Sequence, residues 1–273
     1  MKQRIITALL TAIFAIASSV PAFAHGGSKN VKLHVSNRWS ECALQLDPSL
    51  TQQAWSRFTE EAGLITYFRS LTDARPMSFG NFEVSLLQWQ SKIDDTNSSW
   101  NDTFVHPDST HWLYEGDRFG FPGLTARTGI TDRIDIGVYF TQNPNANYGF
   151  WGGQVQYNIV NDRDNRWAAS ARATMVKLFG PDDIDFGMYG VDFLTSRSYA
   201  VIADWVSLSP YAGISVYLSR SHENSAAVTL NDENIFGIQA MIGAVAEISA
   251  FRCAVEYNYA AVYSLSFKLG VAF

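Results

Sequence analysis

The sequence predicts an all-β fold in which about ten antiparallel strands close into a barrel, preceded by one amphipathic helix. From about residue 77 onward, apolar and polar residues alternate in segments that turn residues separate. The run Tyr263–Phe273 keeps a strict two-residue period, which makes one face of a strand apolar and the other small or polar. The chain is 47% hydrophobic and 14% aromatic, yet after residue 24 no apolar run is long enough to cross a bilayer as a helix.

The N-terminal residues predict export. Lys2 and Arg4 precede the apolar stretch 5–20, and Pro21–Ala24 supplies small residues at the spacing of a cleavage site. This pattern indicates a signal peptide that is cleaved after Ala24. The chain carries 20 basic and 26 acidic residues, a net charge of -6, which argues against nucleic acid as a partner.

Residues 25–76 are predicted to be an N-terminal periplasmic segment that contains one helix. Asp47 and Pro48 suit the N-cap and the first helical position, and apolar residues then recur every four positions, so a helix is expected over about 48–62. Gly63 is expected to end or bend it. The helix either packs against the periplasmic mouth of the barrel or partly plugs it; alternatively, it lies in the membrane interface with Trp55 and Phe58 among the headgroups.

Short polar turns and longer connections separate the predicted strands. The ten expected strands cover residues 81–91, 120–129, 134–141, 147–160, 167–178, 186–195, 207–219, 234–248, 251–259 and 262–273. With ten strands, the long connections 92–119 and 220–233 fall at one end and the short turns 131–133 and 161–165 at the other, as in membrane barrels. Residues 198–206 are ambiguous, and eight or twelve strands are the alternatives.

Assigning the apolar face of each strand to lipid places a polar set in the lumen. This set contains Glu83, Arg127, Asp135, Arg172, Asp192, Glu247, Arg252, Glu256 and Lys268. Four bases and five acids can pair across a narrow barrel, so a salt-bridged polar core with at most a narrow water path is expected.

The final strand and its terminal aromatic resemble those of Gram-negative outer-membrane β-barrels. The hairpin Gly129–Gly137 and the motifs Gly190–Phe193 and Ser209–Gly213 also resemble that class. The resemblance implies insertion in the outer membrane, lipid as a partner, and a monomer. It also implies that the barrel-assembly machinery recognises the last strand, which assigns the assembly signal to Phe267, Leu269, Val271 and Phe273.

The resemblance supplies no catalytic residue, cofactor or metal site, so the expected role is non-enzymatic: a structural protein, a narrow channel or a surface-interaction module. The alternative is a surface enzyme, a protease or a lipid-modifying enzyme, that uses the connection 92–119. That connection concentrates acids and imidazoles: Asp94, Asp95, Asp102, His106, Asp108, His111, Glu115 and Asp117. Such groups could act as acid and base or hold a divalent ion, although polar surface loops commonly have this composition.

Overall fold

A computed structural model describes residues 46–94, 96–101, 103, 118–120, 122–143, 148–202 and 205–273. The predicted signal peptide, the cleavage after Ala24 and the first part of the 25–76 segment lie outside these residues and remain predictions.

Ten long strands form the fold, as the alternation predicts. They are β1 (Phe82–Lys92), β2 (Pro122–Gly129), β3 (Ile134–Gln142), β4 (Gly149–Asp162), β5 (Trp167–Phe179), β6 (Ile184–Arg197), β7 (Val206–Glu223), β8 (Glu233–Ile248), β9 (Phe251–Tyr259) and β10 (Ser264–Ala272). The ambiguous stretch 198–206 contains a short strand, Tyr199–Ile202, that pairs only with the start of β7. A second short strand, Arg118–Phe119, pairs only with the end of β1.

The ten strands close into one antiparallel ring. Each strand pairs with its neighbour in sequence, and β10 returns to β1 with Glu83 opposite Ala272 and Ser91 opposite Ser264. The backbone amides of Phe82 and Phe273 each donate to the other residue's carbonyl, at 3.1 and 2.8 Å. The predicted all-β barrel of ten strands is confirmed, and the alternatives of eight and twelve are wrong because the two short strands take no part in the ring.

The connections divide between the two ends of the barrel. At the end that we name the loop end, the chain passes from β1 to β2, from β3 to β4, from β5 to β6, from β7 to β8 and from β9 to β10; at the turn end, it passes from β2 to β3, from β4 to β5, from β6 to β7 and from β8 to β9. Phe273 also lies at the turn end, opposite Phe82. The two long connections predicted to share an end follow β1 and β7, and both of these strands finish at the loop end.

The predicted helix exists, but its bounds differ from the expectation. Helix α1 covers Gln52–Thr66, and its N-cap is Thr51, whose hydroxyl accepts a hydrogen bond from the amide of Ala54. Asp47 instead forms a turn before the helix, in which its carboxylate accepts from the Ser49 amide at 2.8 Å. The N-cap prediction is therefore wrong by four residues, because an Asp-Pro pair suits a turn as well as it suits a cap.

Gly63 lies inside α1 and does not end it. A Cβ atom at Gly63 would overlap Oγ of Ser219 on β7, so the glycine allows the helix to approach the wall. A second helix, α2 (Ser98–Asn101), follows β1. Among the described residues, no helix is both long and apolar enough to cross a bilayer.

Candidate functional site

Residues 46–77, which we call the lumen segment, run through the inside of the barrel. They begin at the loop end, where the Leu46 amide donates to Asp183 at 3.1 Å, and reach the turn end, where Gly80 is hydrogen-bonded to Gly129. Trp55 is fully buried and Phe58 is only 7% exposed. The alternative in which these two side chains lie in the membrane interface is therefore wrong, because α1 occupies the barrel.

Helix α1 fills the half of the lumen at the loop end. Its first residue, Gln52, donates to the Glu233 carboxylate at 2.5 Å and accepts from the Asn231 amide at 2.8 Å. Farther along the helix, Thr59 lies against β7, where its carbonyl accepts from Ser219 at 2.6 Å. The helix thus lies inside the barrel at the end opposite the short turns, as in the alternative in which it partly plugs the barrel, and does not pack against a mouth from outside. Residues 46–76 correspondingly lie in the lumen and do not form a separate periplasmic segment.

Arg69 joins the end of α1 to the barrel wall. Its guanidinium donates to the carbonyls of Leu64 and Ile65 in the last turn of the helix, and also to Asn258 on β9 and Ser264 on β10, both at 2.9 Å. A cation at this position also complements the partial negative charge of a helix C-terminus. The residue is 2% exposed and satisfies backbone carbonyls that helix ends leave without a partner.

The extended half of the lumen segment, residues 67–77, contacts several sides of the wall. The Tyr67 hydroxyl donates to Asp192 on β6. Farther along, the Ala74 carbonyl accepts from Asn158 at 2.9 Å, and the Met77 amide donates to Asp135 at 3.0 Å. These last two bonds satisfy backbone groups that have no sheet partner, which a buried extended chain requires.

The predicted lumen residues lie on the inward faces of the strands, where they form several pairs. Arg127 pairs with Asp135 on the neighbouring strand, and Arg172 Nε donates to Asp192 at 2.5 Å. Glu83 bridges two cations of the wall. It accepts from Lys268 at 2.7 Å and from Arg252 at 3.0 Å.

The remaining two acids of that set meet different partners. Glu247 pairs with Arg252 at 3.0 Å and also with Arg75 of the lumen segment at 3.0 Å. Glu256 accepts from the Tyr211 hydroxyl at 2.7 Å and from the Asn258 amide group at 3.0 Å.

The extended half of the lumen segment adds charged groups to the interior. The wall residues predicted from the sequence comprise four bases and five acids, and residues 67–77 add Arg69, Arg75 and Asp73. Asp73 itself accepts from the Arg75 guanidinium at 2.7 Å. Helix α1 adds the buried Glu61, which pairs with Arg57 at 2.7 Å. Sequence reasoning missed Arg69, Asp73 and Arg75 because the stretch that contains them has no periodicity and is typical of a loop.

A few buried polar atoms have no hydrogen-bond partner among the described residues. Gln156 and Arg172 lie opposite each other in register on β4 and β5; the side-chain amide of Gln156 and both terminal nitrogens of Arg172 are among these atoms. Several buried polar atoms of the wall beside Asp192 therefore lack hydrogen-bond partners among the described residues, at the point where Tyr67 contacts the wall.

The outward face of the barrel is apolar through its middle. The side chains of Val138, Val155, Phe193, Ile214 and Ile238 are each between 49% and 69% exposed. Contiguous exposure of this kind is unusual for a protein in water.

Charged residues on the outward face of the described strands lie near strand ends. Lys92, Lys177, Asp185 and Arg220 are near the loop end, and Arg197 is at the turn end. Aromatic side chains accompany these ends: at the loop end Tyr259 and Tyr263 pack with ring centroids 5.4 Å apart, and at the turn end Trp205 is 56% exposed. An apolar band between two aromatic and charged borders matches the chemistry of a bilayer.

The residues predicted as the assembly signal lie on β10 and at its end. Phe267 is 51% and Phe273 74% exposed, and Leu269 and Val271 are partly exposed on the same outward face. Their side chains therefore form part of the apolar band and its border, and their recognition by an assembly machinery remains a prediction.

The acidic and histidine-rich connection 92–119 is described only in part. Asp94 is exposed, and the hydrogen bond that it accepts from the Thr96 hydroxyl at 2.7 Å holds its pKa below the usual range. The other residues of the predicted cluster, from Asp95 to Asp117, lie outside the described residues, so the enzyme alternative stays a prediction. Within the described ranges, no three His, Cys, Asp or Glu side chains are arranged to hold a metal ion.

Trp100 in the same connection packs over the barrel mouth. Its indole nitrogen donates to Glu61 of α1 at 2.5 Å, and its ring meets Phe58 edge to face with centroids 5.3 Å apart. The start of this connection therefore covers α1.

Comparisons with known proteins give weak structural similarity and no sequence match. No protein-family model and no curated protein matches the chain. Three solved structures cover 71% of the chain: the Bordetella autotransporter BrkA β domain (11% identity, TM-score 0.39, 98% of that chain), Neisserial surface protein A (12%, 0.29, 96%) and the attachment invasion locus protein Ail of Yersinia pestis (13%, 0.27, 99%). Since all three TM-scores are below 0.5, the fold rests on the ten-strand ring itself, which has the architecture of outer-membrane barrels.

Proposed function

We propose that this chain is an integral outer-membrane barrel with a non-enzymatic role, closed at rest by its own lumen segment. The apolar outward band supports the location in the membrane, because such a surface is stable in contact with lipid. The lumen segment supports the closed state, because α1 and residues 67–77 occupy the space through which a solute would pass. The loop end faces the outside, the turn end faces the periplasm, and the barrel inserts as a monomer.

The closure excludes an open pore of the porin type. A solute passes only when the lumen segment moves, and the bonds made by Arg69 oppose that movement. This role agrees with the size of the barrel, since barrels of about eight strands are filled by side chains whereas those of sixteen or more leave channels.

The location is tested by fractionation, and the orientation by labelling cysteines in intact cells. In a Cys42→Ser/Cys253→Ser background, Ser49→Cys places a thiol at the exposed start of the lumen segment, and Asp164→Cys places one in an exposed turn. A membrane-impermeant maleimide should label Ser49→Cys in intact cells and Asp164→Cys only after the outer membrane is permeabilised. The reverse pattern would show that the barrel is inserted the other way, and recovery of the chain in the soluble fraction would remove the proposal.

The closure is tested by conductance in planar bilayers. The wild-type barrel should give no steady current, whereas Arg69→Ala, which removes the bonds from α1 to β9 and β10, should give frequent openings. Arg57→Ala is the matched control, because the half-exposed side chain of Arg57 pairs with Glu61 of the same helix. Steady large currents from the wild type, or equal behaviour of the two variants, would refute closure by the lumen segment.

A further inference from the structure

A surface cavity of about 260 Å³ lies at the turn end of the barrel, between the β4–β5 turn and the stretch that follows β6. We call it the turn-end cavity; residues 164–166 line one side of it and residues 197–200 the other. The amide of Ser198 donates to the carbonyl of Arg166 at 2.9 Å, which holds the two sides together. Every residue of the lining except Ser198 is exposed, so the cavity is open to a ligand from outside the barrel.

The lining of the turn-end cavity carries one net positive charge. Its charged side chains are those of Arg166, Arg197 and Asp164. Within the described ranges, neither arginine forms an ion pair with a carboxylate. The neighbouring carboxylate of Asp162 accepts instead from the amide and the side chain of Asn165, at 3.0 and 2.8 Å. Two guanidinium groups with one net positive charge suit a phosphodiester, which has a single negative charge, better than a phosphate monoester, which has close to two.

Two aromatic side chains flank Arg197 at the border of the apolar outward band. Trp167 lies opposite Arg197 in the register of β5 and β6, and the centroid of the Tyr199 ring is 5.6 Å from the guanidinium carbon. Both aromatic side chains are exposed, as is usual at the borders of membrane barrels. Because aromatic residues at such borders lie at the level of the lipid headgroups, Arg197 lies at the level of the lipid phosphates.

Apolar surface leads from the turn-end cavity into the middle of the apolar band. Side chains two residues apart on a strand share a face, so Phe193 and Val191 lie on the same outward face of β6 as Arg197. Both are exposed. A ligand with a phosphodiester in the cavity and hydrocarbon chains along β6 would contact both surfaces, whereas a phosphodiester without chains would contact only the cavity.

We propose that the turn-end cavity binds one membrane phospholipid through its phosphodiester. Arg166 and Arg197 donate to the phosphate oxygens, and the acyl chains lie along the outward face of β6. The inference rests on the proposed location in the membrane, and in the proposed orientation the lipid belongs to the inner leaflet. It is independent of whether the lumen segment closes the barrel.

Binding is tested by native mass spectrometry of the full chain in nonionic detergent, titrated with dioleoyl phosphatidylglycerol. Binding that saturates at one lipid per chain is expected. Arg166→Gln and Arg197→Gln should each weaken it by about five-fold, the factor that one arginine contributes near an anionic lipid surface. Arg163→Gln is the matched control, because Arg163 is exposed in the same turn but does not line the cavity, and it should change the affinity by less than about two-fold. All three arginines are exposed, so each variant should unfold in urea as the wild type does.

Two further probes separate the phosphate from the acyl chains. Dioleoylglycerol has the same chains and no phosphate, so it should not be retained. Glycerophosphoglycerol has the phosphodiester and no chains, so at equal concentration it should not displace the lipid.

Three results would overturn the inference. Equal weakening in all three arginine variants would mean general attraction between charges. Retention of dioleoylglycerol as strong as that of the phospholipid would mean contact with the chains alone, and displacement by glycerophosphoglycerol would mean a site for a soluble phosphodiester. A barrel that is recovered in the outer membrane but binds no lipid in this titration would refute only this inference, whereas recovery in the soluble fraction would also remove the proposed location.

Discussion

Gly190→Ala should separate the lumen segment from the wall at one defined point. Gly190 lies on the inward face of β6, and a Cβ atom there would overlap the hydroxyl oxygen of Tyr67 and lie 2.5 Å from its Cζ atom. Real Cβ contacts are never so short, so the Tyr67 ring must move. When it moves, its hydrogen bond to Asp192 is lost.

The cost follows from these two effects. Forcing an extra methyl group into a packed interior costs about 1–3 kcal/mol. Leaving a buried charged acceptor with one hydrogen bond fewer costs about 1–3 kcal/mol more. Alanine also has less conformational entropy than glycine in the unfolded chain, which stabilises the folded state by about 0.4–1 kcal/mol. A net loss of roughly 1–5 kcal/mol in the free energy of unfolding is therefore expected.

The assay is urea unfolding of the barrel in lipid vesicles, followed by tryptophan fluorescence and by the heat-dependent shift in gel mobility. Gly153→Ala is the matched control on β4, because its new Cβ would meet only the Gly137 carbonyl oxygen at an ordinary 3.7 Å. In a Tyr67→Ala background, Gly190→Ala should lose most of its effect, as expected for two residues in direct contact. If Gly190→Ala and Gly153→Ala unfold at the same urea concentration, or if the Tyr67→Ala background leaves the Gly190→Ala cost unchanged, Tyr67 does not lie against the wall at this position.

Three further substitutions test other parts of the structure. Thr51→Ala removes the N-cap of α1 and should lower the free energy of unfolding by about 1 kcal/mol; a change near zero in urea unfolding would mean that the helix does not begin there. Asp135→Asn removes the charge that pairs with Arg127 and weakens the acceptor of the Met77 amide, with an expected loss of about 3 kcal/mol in the same assay; wild-type unfolding of this variant would contradict the buried pair. Phe273→Ala should leave the urea unfolding of refolded protein almost unchanged, because the side chain is 74% exposed. It should lower the amount of barrel recovered in the outer membranes of cells, and normal recovery would argue against a role of Phe273 in assembly.

The number of strands and the direction in which their side chains point could be predicted from local sequence patterns. The alternation from Tyr263 to Phe273 predicts these directions because one face of a barrel strand contacts lipid and the other contacts the interior. Turn residues such as Asp132 and Asn165 mark where a strand reverses, independently of distant contacts. For the same reason, the inward position of Glu83 and Lys268 could be predicted from the strand pattern, although their pairing with each other could not.

The sequence by itself determined the ten strands, their inward and outward faces and the ends at which their connections lie, because each of these depends on residues that are near each other in the chain. Only the tertiary structure decided that residues 46–77 pass through the lumen. That position depends on Gly63 beside Ser219, on Gly190 beside Tyr67 and on Arg69 between α1 and the wall. Such contacts join residues that are distant in the sequence, and the extended stretch that makes several of them has no periodicity of its own.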